Sequence, residues 1–196
     1  MKEIRVAYQG KPGAYSHMAS IKSFPNCSTV SCETFEEVFD ITSQGKSDIA
    51  MIPIENSQAG RVADIHNLLP ESKLLIVGEY FHKISHHLLG IKGSSLNSIN
   101  SAESHMQALS QCKGFLSKNK IKAIVKADTA GAAEEVSKCQ DITRAAIASE
   151  LAAKTYNLIT LKSNIEDASH NTTRFLMMRE KVEEEVKKNN TNYITS

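Results

Sequence analysis

A regular alternation of short apolar runs with longer stretches of helical period limits the folds open to this chain. The runs are rich in Val and Ile, and a β-α-β-α rhythm is typical of a sheet with helices packed outside it. We therefore predict an α/β class with a largely parallel sheet. The predicted strands are 4–8, 29–32, 49–54, 74–80, 88–91, 121–126, 145–148, 158–161 and 172–178.

The helices predicted between these strands cover 15–24, 35–43, 62–69, 105–116, 130–138 and 150–156. Residues whose side chains can cap a helix start precede several of them. These capping residues are Thr34, Ser104, Asp128 or Thr129, and Ser149.

Composition excludes several classes of protein. The 196 residues are 41% hydrophobic and carry a formal net charge of +1, so a substantial core is expected and a basic surface for nucleic acid is not. The longest apolar runs are far shorter than the roughly 20 residues that cross a bilayer. The first ten residues enter a strand pattern without a signal-peptide core. We expect a cytoplasmic protein with no nucleic-acid or membrane partner.

The cysteines and a group of histidines do not have metal-site spacing. No CxxC pair occurs, so we interpret the four cysteines as buried thiols. His82, His86 and His87 include an i, i+4 pair, but their stretch looks extended and lacks HExxH. We interpret them as solvated or hydrogen-bonded histidines. The cysteines are Cys27, Cys32, Cys112 and Cys139.

Two segments that follow predicted strands could bind a ligand. Residues 10–17 (GKPGAYSH) form a tight turn whose backbone N–H groups suit a carboxylate or phosphate, although the spacing fits neither nucleotide-binding motif. Residues 52–61 (IPIENSQAGR) lie at the carboxyl end of a strand, where open α/β sheets bind ligands. An ordinary turn and a capped turn, respectively, are the alternatives.

Two further segments contain hydroxyl groups suited to chemistry. In residues 102–112, Ser104 would cap a helix and Gln111 would lie two turns further along the same face. The adjacent Ser and His do not indicate a hydrolase triad, because neighbours on a helix diverge and no GxSxG occurs. In residues 167–175, Thr-Thr-Arg at a strand entrance suits polarisation of a hydroxyl, with an exposed strand start as the alternative.

Taken in order, these segments resemble the catalytic domain of the prephenate and arogenate dehydratases. The resemblance rests on YQGKPGAYSH, AMIPIENSQAGRV, the SHxxALxQC pattern from Ser104 to Cys112, and NTTRF from Asn171 to Phe175, and it covers about residues 4–179. It implies a bilobal, type II periplasmic-binding-protein-like α/β fold with the active site in the cleft. Residues 1–180 would form the catalytic domain, with 1–78 and 158–180 in one lobe, 79–157 in the other, and hinges at both crossings.

Members of this family usually continue into an ACT domain that binds phenylalanine. Residues 181–196 are expected to be a charged linker and the possible start of a truncated ACT domain, because TNYITS resembles the beginning of its first strand. Phenylalanine feedback and the oligomeric state therefore stay open. A homodimer or higher homo-oligomer is expected from the family.

The reaction implied is the decarboxylating dehydration of prephenate to phenylpyruvate in phenylalanine biosynthesis, by a carbon-oxygen lyase that needs no metal or organic cofactor. The alternatives are dehydration of L-arogenate to phenylalanine and, from another class, a non-catalytic small-molecule-binding module on the same fold. That module usually comes with a signal peptide or a DNA-binding helix-turn-helix, and we find neither pattern.

The motif match assigns roles to individual residues. Thr173 would donate to the departing hydroxyl, while Asn56, Ser104 and Gln111 would bind substrate or assist catalysis. Arg174 would neutralise either Glu55 or a substrate carboxylate. Backbone N–H groups at 13–16 and 130–131, at the starts of two helices, are candidates for binding the two substrate carboxylates. The residues expected to bind substrate are Gly13, Ala14, Tyr15, Ser16, Glu55, Ser57, Thr129, Ala130, Gly131, Thr172, Arg174 and Phe175.

Overall fold

A computed structural model of the protein describes residues 3–181, which build two sheets with helices on their faces. The predicted linker and ACT-domain start lie outside the described residues, apart from Lys181. The strands are β1 (Arg5–Gln9), β2 (Ser28–Cys32), β3 (Ile49–Asn56), β4 (Gly60–Arg61), β5 (Leu74–Lys83), β6 (His87–Gly90), β7 (Ser101–His105), β8 (Lys122–Lys126), β9 (Arg144–Ala148), β10 (Ile159–Lys162) and β11 (Thr172–Glu180). The helices are α1 (Tyr15–Ser23), α2 (Phe35–Ser43), α3 (Ala63–Glu71), α4 (Met106–Gln111), α5 (Lys113–Lys118), α6 (Thr129–Lys138) and α7 (Glu150–Thr155), and a 3-10 turn covers Leu96–Ser98.

Both sheets are mixed, so the prediction of a largely parallel sheet is wrong. The first sheet has the order β2-β1-β3-β11-β5, with β4 paired to β3, and the second has the order β10-β6-β9-β7-β8. β11 runs antiparallel to β3 and β5, and β6 runs antiparallel to β9 and β10. Both β6 and β11 enter their sheet directly from the other sheet, without the crossover helix that makes neighbouring strands parallel.

The first sheet is covered on both faces, as the period of two in a strand requires. Val6 and Tyr8 pack with Phe175 on the α1 side, whereas Ala7 packs with Leu176 on the side of α2 and α3. The second sheet is covered in the same way, by α4 and α5 on one face and by α6 and α7 on the other. We call each sheet with its helices a lobe, the first lobe containing α1–α3 and the second α4–α7.

The sheets place the crossings between lobes later than the predicted boundaries at 79 and 158. β5 continues in the first sheet to Lys83, and β10 pairs with β6 in the second sheet. The crossings are therefore residues 84–86 and 163–171. They hydrogen-bond to each other, since Ile84 N–H donates to the Asn171 carbonyl (2.8 Å) and Ile165 N–H to the His86 carbonyl (2.9 Å). Apolar runs locate strands along the chain but do not say which sheet each strand joins.

The helix predicted over 105–116 is divided, and its expected cap belongs to a strand. Ser104 lies in β7 and donates its hydroxyl to the Ile147 carbonyl at 2.6 Å, so it is not the N-cap of α4. β7 (SAESH) lacks β-branched residues, which explains why this strand is not predicted from the sequence. Its buried Glu103 is paired with Arg144 (2.6 Å) and Lys126 (3.3 Å). Three other predicted caps are confirmed: Thr34, Asp128 and Ser149.

All four cysteines are free thiols. Cys32 and Cys112 are buried as predicted, while Cys27 and Cys139 are partly exposed. Within residues 3–181 the structure contains no helix that is long and apolar enough to cross a membrane.

The turn before α1 contacts α7 of the other lobe too closely for a side chain at Gly13. Gly13 has φ +92°, and a Cβ there would lie 2.7 Å from Ala152 Cα. The Gly13 carbonyl accepts a 2.5 Å hydrogen bond from the Ser149 hydroxyl, so the approach is fixed by a polar contact as well. Only glycine combines this backbone conformation with this contact.

We expect Gly13→Ala to lower the free energy of unfolding by about 2–4 kcal/mol, since left-handed backbone strain and overpacking add. Gly60→Ala is the matched control: Gly60 has φ +80°, and a Cβ there would meet no atom within 4 Å, so strain alone should cost about 1 kcal/mol. Urea unfolding curves of the two variants measure the difference. Equal losses would contradict a steric contact between the lobes.

Candidate active site

Strand pairing places three polar side chains in one row across the first sheet. Thr173 of β11 is the register partner of Asn56 on β3 and of His82 on β5. Directly opposite residues have Cβ atoms about 4.5–5.5 Å apart. Thr173 and His82 are buried, at 8% and 3% exposure. The sheet itself, rather than a loop, therefore positions the threonine.

Backbone hydrogen bonds fix the orientation of the Asn56 amide. The N–H groups of Gln58 and Ala59 each donate to Asn56 Oδ1 at 3.0 Å. Its Nδ2 then donates to Asn171 Oδ1 and to Thr173 Oγ1, both at 2.8 Å. Because Thr173 Oγ1 accepts from Asn56, its own hydrogen is available for another acceptor.

The hydrogen bonds continue from the first lobe into the second. Asn171 Nδ2 donates to Gln111 Oε1 at 2.8 Å, and the same oxygen lies 2.7 Å from His86 Nε2. The other ring nitrogen of His86, Nδ1, is 2.7 Å from the Tyr15 hydroxyl. Gln111 ends α4 of the second lobe, whereas Tyr15 begins α1 of the first. We call this set the interlobe network: Thr173, Asn56, Asn171, Gln111, His86 and Tyr15.

Burial sets the protonation of the network's titratable groups. Desolvation lowers the pKa of His86, against the opposing effect of its hydrogen bond to Gln111, so the neutral ring is favoured. Desolvation also raises the pKa of Tyr15 well above its usual value. The network therefore consists of neutral groups near neutral pH.

Two clefts contact different parts of the interlobe network. A cleft of about 310 Å³ is lined by Gln58 and Ala59 of the first lobe, Gln107 and Gln111 of α4, and Glu166 and Asn171 of the second crossing. This volume is at the lower end for small-molecule sites. A cleft of about 440 Å³ touches Tyr15 and Ser85 and includes Lys22, Lys83 and His87.

The predicted anion-binding turns lie at the starts of α1 and α6, in different lobes. A hydrogen bond between Lys11 and Glu134 (2.5 Å) connects them and, with Lys138, holds the pKa of Glu134 at about 2. Three of the predicted N–H donors already have a partner in their own turn or helix. Ala14 N–H donates to the Lys11 carbonyl at 3.0 Å. Gly13 N–H donates to His17 Nδ1 (3.0 Å), and Gly131 N–H to Asp128 Oδ1 (2.6 Å). Carboxylate binding by backbone N–H groups of these turns therefore stays a prediction only for their other members: Tyr15, Ser16, Thr129 and Ala130.

Arg174 points away from Thr173, as successive residues of a strand do. It forms an ion pair with Glu79 (2.7 Å) and lies over the Phe81 ring, 5.9 Å from its centroid. Neither predicted partner, Glu55 or a substrate carboxylate, is needed to balance it. Glu55 is exposed, and its register partners are Arg174 on β11 and Arg61 on β4, although the Arg174 side chain pairs with Glu79.

Four other predicted site residues have structural contacts. The Ser104 hydroxyl is fully buried against a carbonyl, and Phe175 is 1% exposed in the core beside Tyr8. Ser57 Oγ donates to the His170 carbonyl and accepts from Thr172 N–H, both at 2.9 Å. Ser57 and Thr172 therefore fasten the loop after β3 to the start of β11, beside the network but outside it.

Sequence reasoning missed His86 and Asn171 as site residues. The hydrogen-bonded interpretation is confirmed for His86, but it is wrong for His82, whose Nε2 is buried and has no hydrogen-bond partner among residues 3–181. Asn171 stands immediately before the Thr-Thr-Arg sequence, and His86 immediately before an apolar strand. In both cases the sequence feature that could have identified the site residue was a polar residue directly before a buried strand.

Comparison with known proteins decides the family. The family profile described as prephenate dehydratase matches residues 6–183. The chain belongs to the prephenate dehydratase family. The predicted resemblance, which rested on four short motifs, is thereby confirmed, and so is the α/β fold class.

The names of proteins similar to this chain include more than one activity. A bifunctional N-acyl-homoserine lactone acylase/prephenate dehydratase of Komagataeibacter europaeus is 45% identical over 87% of this chain and 60% of its own length. Arogenate dehydratase/prephenate dehydratase 1 of Arabidopsis thaliana is 43% identical over 90% of this chain and 45% of its own length. The chain thus spans about half the length of the curated relatives it matches.

Solved structures share the fold. The quorum-quenching acylase GqqA superposes with a TM-score of 0.86 at 42% identity, over 91% of this chain and 64% of that one. The prephenate dehydratase of Arthrobacter aurescens, in complex with L-Phe, superposes with a TM-score of 0.84 at 23% identity, over 91% and 61% of the two chains. At that identity the second likeness concerns the fold alone.

We expect the buried His82 to make the fold acid-sensitive. Burial, followed by the charge of Lys22, lowers its pKa to about 4, whereas an unfolded histidine titrates near 6.5. The unfolded chain therefore binds the extra proton first as the pH falls. The stability that depends on neutral His82 is complete above about pH 6.5 and is lost progressively down to about pH 4, by about 3 kcal/mol.

Urea unfolding of the wild type and of His82→Leu between pH 7.5 and 4 measures this contribution, and the variant should lose less stability on acidification. His66→Leu, at an exposed position of α3, is the control for removing one histidine. Parallel pH profiles for wild type and His82→Leu would show that His82 does not carry the effect.

Proposed function

We propose that the protein catalyses the decarboxylating dehydration of prephenate to phenylpyruvate, water and CO2 in phenylalanine biosynthesis. The observation that carries the proposal is the hydrogen bond from Asn56 Nδ2 to Thr173 Oγ1 (2.8 Å). It leaves the Thr173 hydroxyl with a proton to donate, at a position set by two paired strands. Family membership supplies the reaction class, a dehydratase.

The chemistry requires help at the leaving oxygen. The ring loses its carboxylate as CO2, the electron pair of the breaking C–C bond enters the ring, and the C–O bond at C4 breaks as the ring becomes aromatic. Hydroxide leaves poorly unless it is hydrogen-bonded or protonated. Thr173 donates to this oxygen, and Asn56 holds Thr173 in place. Because an aliphatic hydroxyl is a weak acid, Thr173 acts through hydrogen-bond polarisation rather than as an isolated proton source. The departing hydroxide takes the proton that makes it water from solvent.

The interlobe network also supplies a donor for a substrate carboxylate. Gln111 Oε1 is committed to Asn171 and His86, which leaves both N–H bonds of its amide nitrogen without a partner among the described residues. Gln111 lines the 310 Å³ cleft. An amide N–H pair there can bind a carboxylate without adding charge to the site.

A second candidate substrate is L-arogenate, which carries an ammonium group in place of the prephenate keto group. The 310 Å³ cleft favours a cation at one end, since Glu166 and Asp167 line it and no Lys or Arg is among its lining residues. Both carboxylates accept one backbone N–H, from His86 and Gly114 respectively, and keep further acceptor capacity. Dehydration of arogenate would give phenylalanine directly.

Incubation of the purified chain with prephenate or with L-arogenate, followed by detection of phenylpyruvate or phenylalanine, tests the two candidates. Turnover of prephenate at the higher kcat/KM supports the proposal, and a preference for arogenate supports the second candidate. An N-acyl homoserine lactone serves as a third substrate because of the name of the Komagataeibacter relative. Absence of turnover with prephenate and arogenate would contradict the dehydratase assignment for this chain.

Thr173→Ala should lower kcat by about 10²–10³-fold with a smaller change in KM, as expected for a donor that acts mainly in the transition state. Thr173→Ser retains the hydroxyl and should keep most of kcat, so the pair separates the hydroxyl from the side-chain volume. Steady-state kinetics on the preferred substrate measure both constants. A rise in KM with unchanged kcat would assign Thr173 to binding alone.

A further inference from the structure

We propose that His86 is a positioning residue of this site, whose Nε2–H group holds Gln111 and Asn171 in the one orientation that leaves the Gln111 amide nitrogen available, beside the Thr173 proton that the fixed Asn56 amide leaves free. The proposal rests on the proposed function for its catalytic consequence. Its structural part, the position of the proton on the His86 ring, stands apart from any substrate.

The donor-to-acceptor direction of each hydrogen bond in the network follows from Asn56, whose orientation is fixed. The backbone N–H groups of Gln58 and Ala59 can only donate, so the atom of Asn56 that they contact at 3.0 Å is the oxygen. The nitrogen of Asn56 therefore faces Asn171, at 2.8 Å, and the atom of Asn171 at that contact is an oxygen. Two backbone donors thus assign both amides.

The same reasoning reaches the histidine. With its oxygen used by Asn56, Asn171 presents its nitrogen to Gln111 at 2.8 Å, so the atom of Gln111 at this contact is an oxygen. That oxygen lies 2.7 Å from His86 Nε2. Two acceptors at this distance would leave a buried lone pair unpaired, so Nε2 carries a hydrogen.

Tyr15 completes the assignment at the other ring nitrogen. A neutral imidazole with its hydrogen on Nε2 accepts at Nδ1, and the Tyr15 hydroxyl lies 2.7 Å from Nδ1. Burial of the ring favours this neutral form. The same hydroxyl lies 3.0 Å from the Ser85 carbonyl, which can also accept its single hydrogen. Because Nδ1 carries no hydrogen in this tautomer, two lone pairs would face each other at 2.7 Å unless Tyr15 donates to Nδ1, so its hydrogen is assigned to this shorter contact.

The backbone of His86 is fixed from both sides by the second crossing. Its N–H donates to Glu166 Oε2 at 2.9 Å, and its carbonyl accepts from Ile165 N–H at 2.9 Å. The residue is 2% exposed, so water does not replace its partners. His86 thus stands at the junction of both crossings, where it links the Gln111 amide of the second lobe to Tyr15 of the first.

Loss of the Nε2–H group has a defined consequence. Gln111 would no longer be required to present its oxygen, and a rotated Gln111 would place its nitrogen against the nitrogen of Asn171. It would also withdraw its N–H pair from the cleft. Because Asn56 cannot rotate, the mismatch falls on Gln111 and Asn171, next to Thr173.

The first measurement is the tautomer of His86 in the wild-type chain without substrate. Long-range ¹H–¹⁵N NMR correlations distinguish Nε2–H from Nδ1–H rings, and the His86 signals are those that disappear in His86→Gln. We expect the Nε2–H tautomer at pH 7.5. A ring protonated on Nδ1 alone, or a mixture of tautomers, would overturn the assignment.

The second measurement compares two variants at the same position. His86→Gln offers an amide N–H close to the position of Nε2 and should keep kcat within a few-fold, whereas His86→Leu has similar volume and no donor. We expect His86→Leu to lower kcat by about 10–100-fold, the cost of slight misplacement of reacting groups. His66→Gln, on the exposed surface of α3, is the control.

The two measurements separate the possible failures. Equal kcat in wild type and a folded His86→Leu, or equal losses in a folded His86→Gln and His86→Leu, would overturn the positioning role. If His86→Leu does not fold, the wild-type tautomer and the activity of His86→Gln still decide. A wild-type chain inert toward prephenate and arogenate would overturn the proposed function, while the NMR spectrum tests the proton position independently.

Discussion

Two backbone hydrogen bonds to Asn56 determine the orientation of the polar groups that follow it in the site. The ends of a side-chain amide have nearly the same shape and differ in whether they donate or accept. Once the oxygen of Asn56 is fixed as an acceptor, the donor and acceptor ends of Asn171 are determined. The same reasoning then determines those of Gln111 and the protonated nitrogen of His86. Each neutral hydrogen bond stabilises the fold by only about 0.5–1.5 kcal/mol, but an unpaired buried group costs about 1–3 kcal/mol. The network consequently acts as a unit.

The fold brings this network to the place where the chain passes between lobes. The crossings at 84–86 and 163–171 hydrogen-bond to each other, and each contributes one member, His86 and Asn171. Rotation of one lobe against the other would bend these crossings and change the distances within the network. A second set of contacts between the lobes is formed by Gly13 with Ser149 and by Lys11 with Glu134. The geometry at Thr173 is thereby coupled to the relative position of the lobes.

The sequence predicts those strands and helices whose formation depends on residues close together in the chain. β3 and β11 can be predicted because they are rich in β-branched and large apolar residues. α2 can be predicted because Thr34 caps an amphipathic run. β7 cannot be predicted in this way, because the burial of Glu103 depends on Arg144 and Lys126, which belong to other strands. Strand direction and the membership of β10 depend likewise on contacts distant in sequence. Thr173, Asn56 and Gln111 were predicted from motifs, whereas their linkage through Asn171 and the contact of Gln111 with His86 depend on how the chain crosses between the two sheets.

The neutral character of the network suits the proposed reaction, in which the substrate loses a carboxylate. Only interactions that strengthen toward the transition state accelerate a step. A guanidinium held against the departing carboxylate would stabilise the charge that decarboxylation removes, and would therefore stabilise the ground state more than the transition state. In this structure Arg174 pairs with Glu79 on the other face of the strand, while the neutral Thr173 and Asn56 occupy the row in the sheet. In the proposed mechanism the remaining donor is the Thr173 hydroxyl, which would act where negative charge accumulates, on the leaving oxygen.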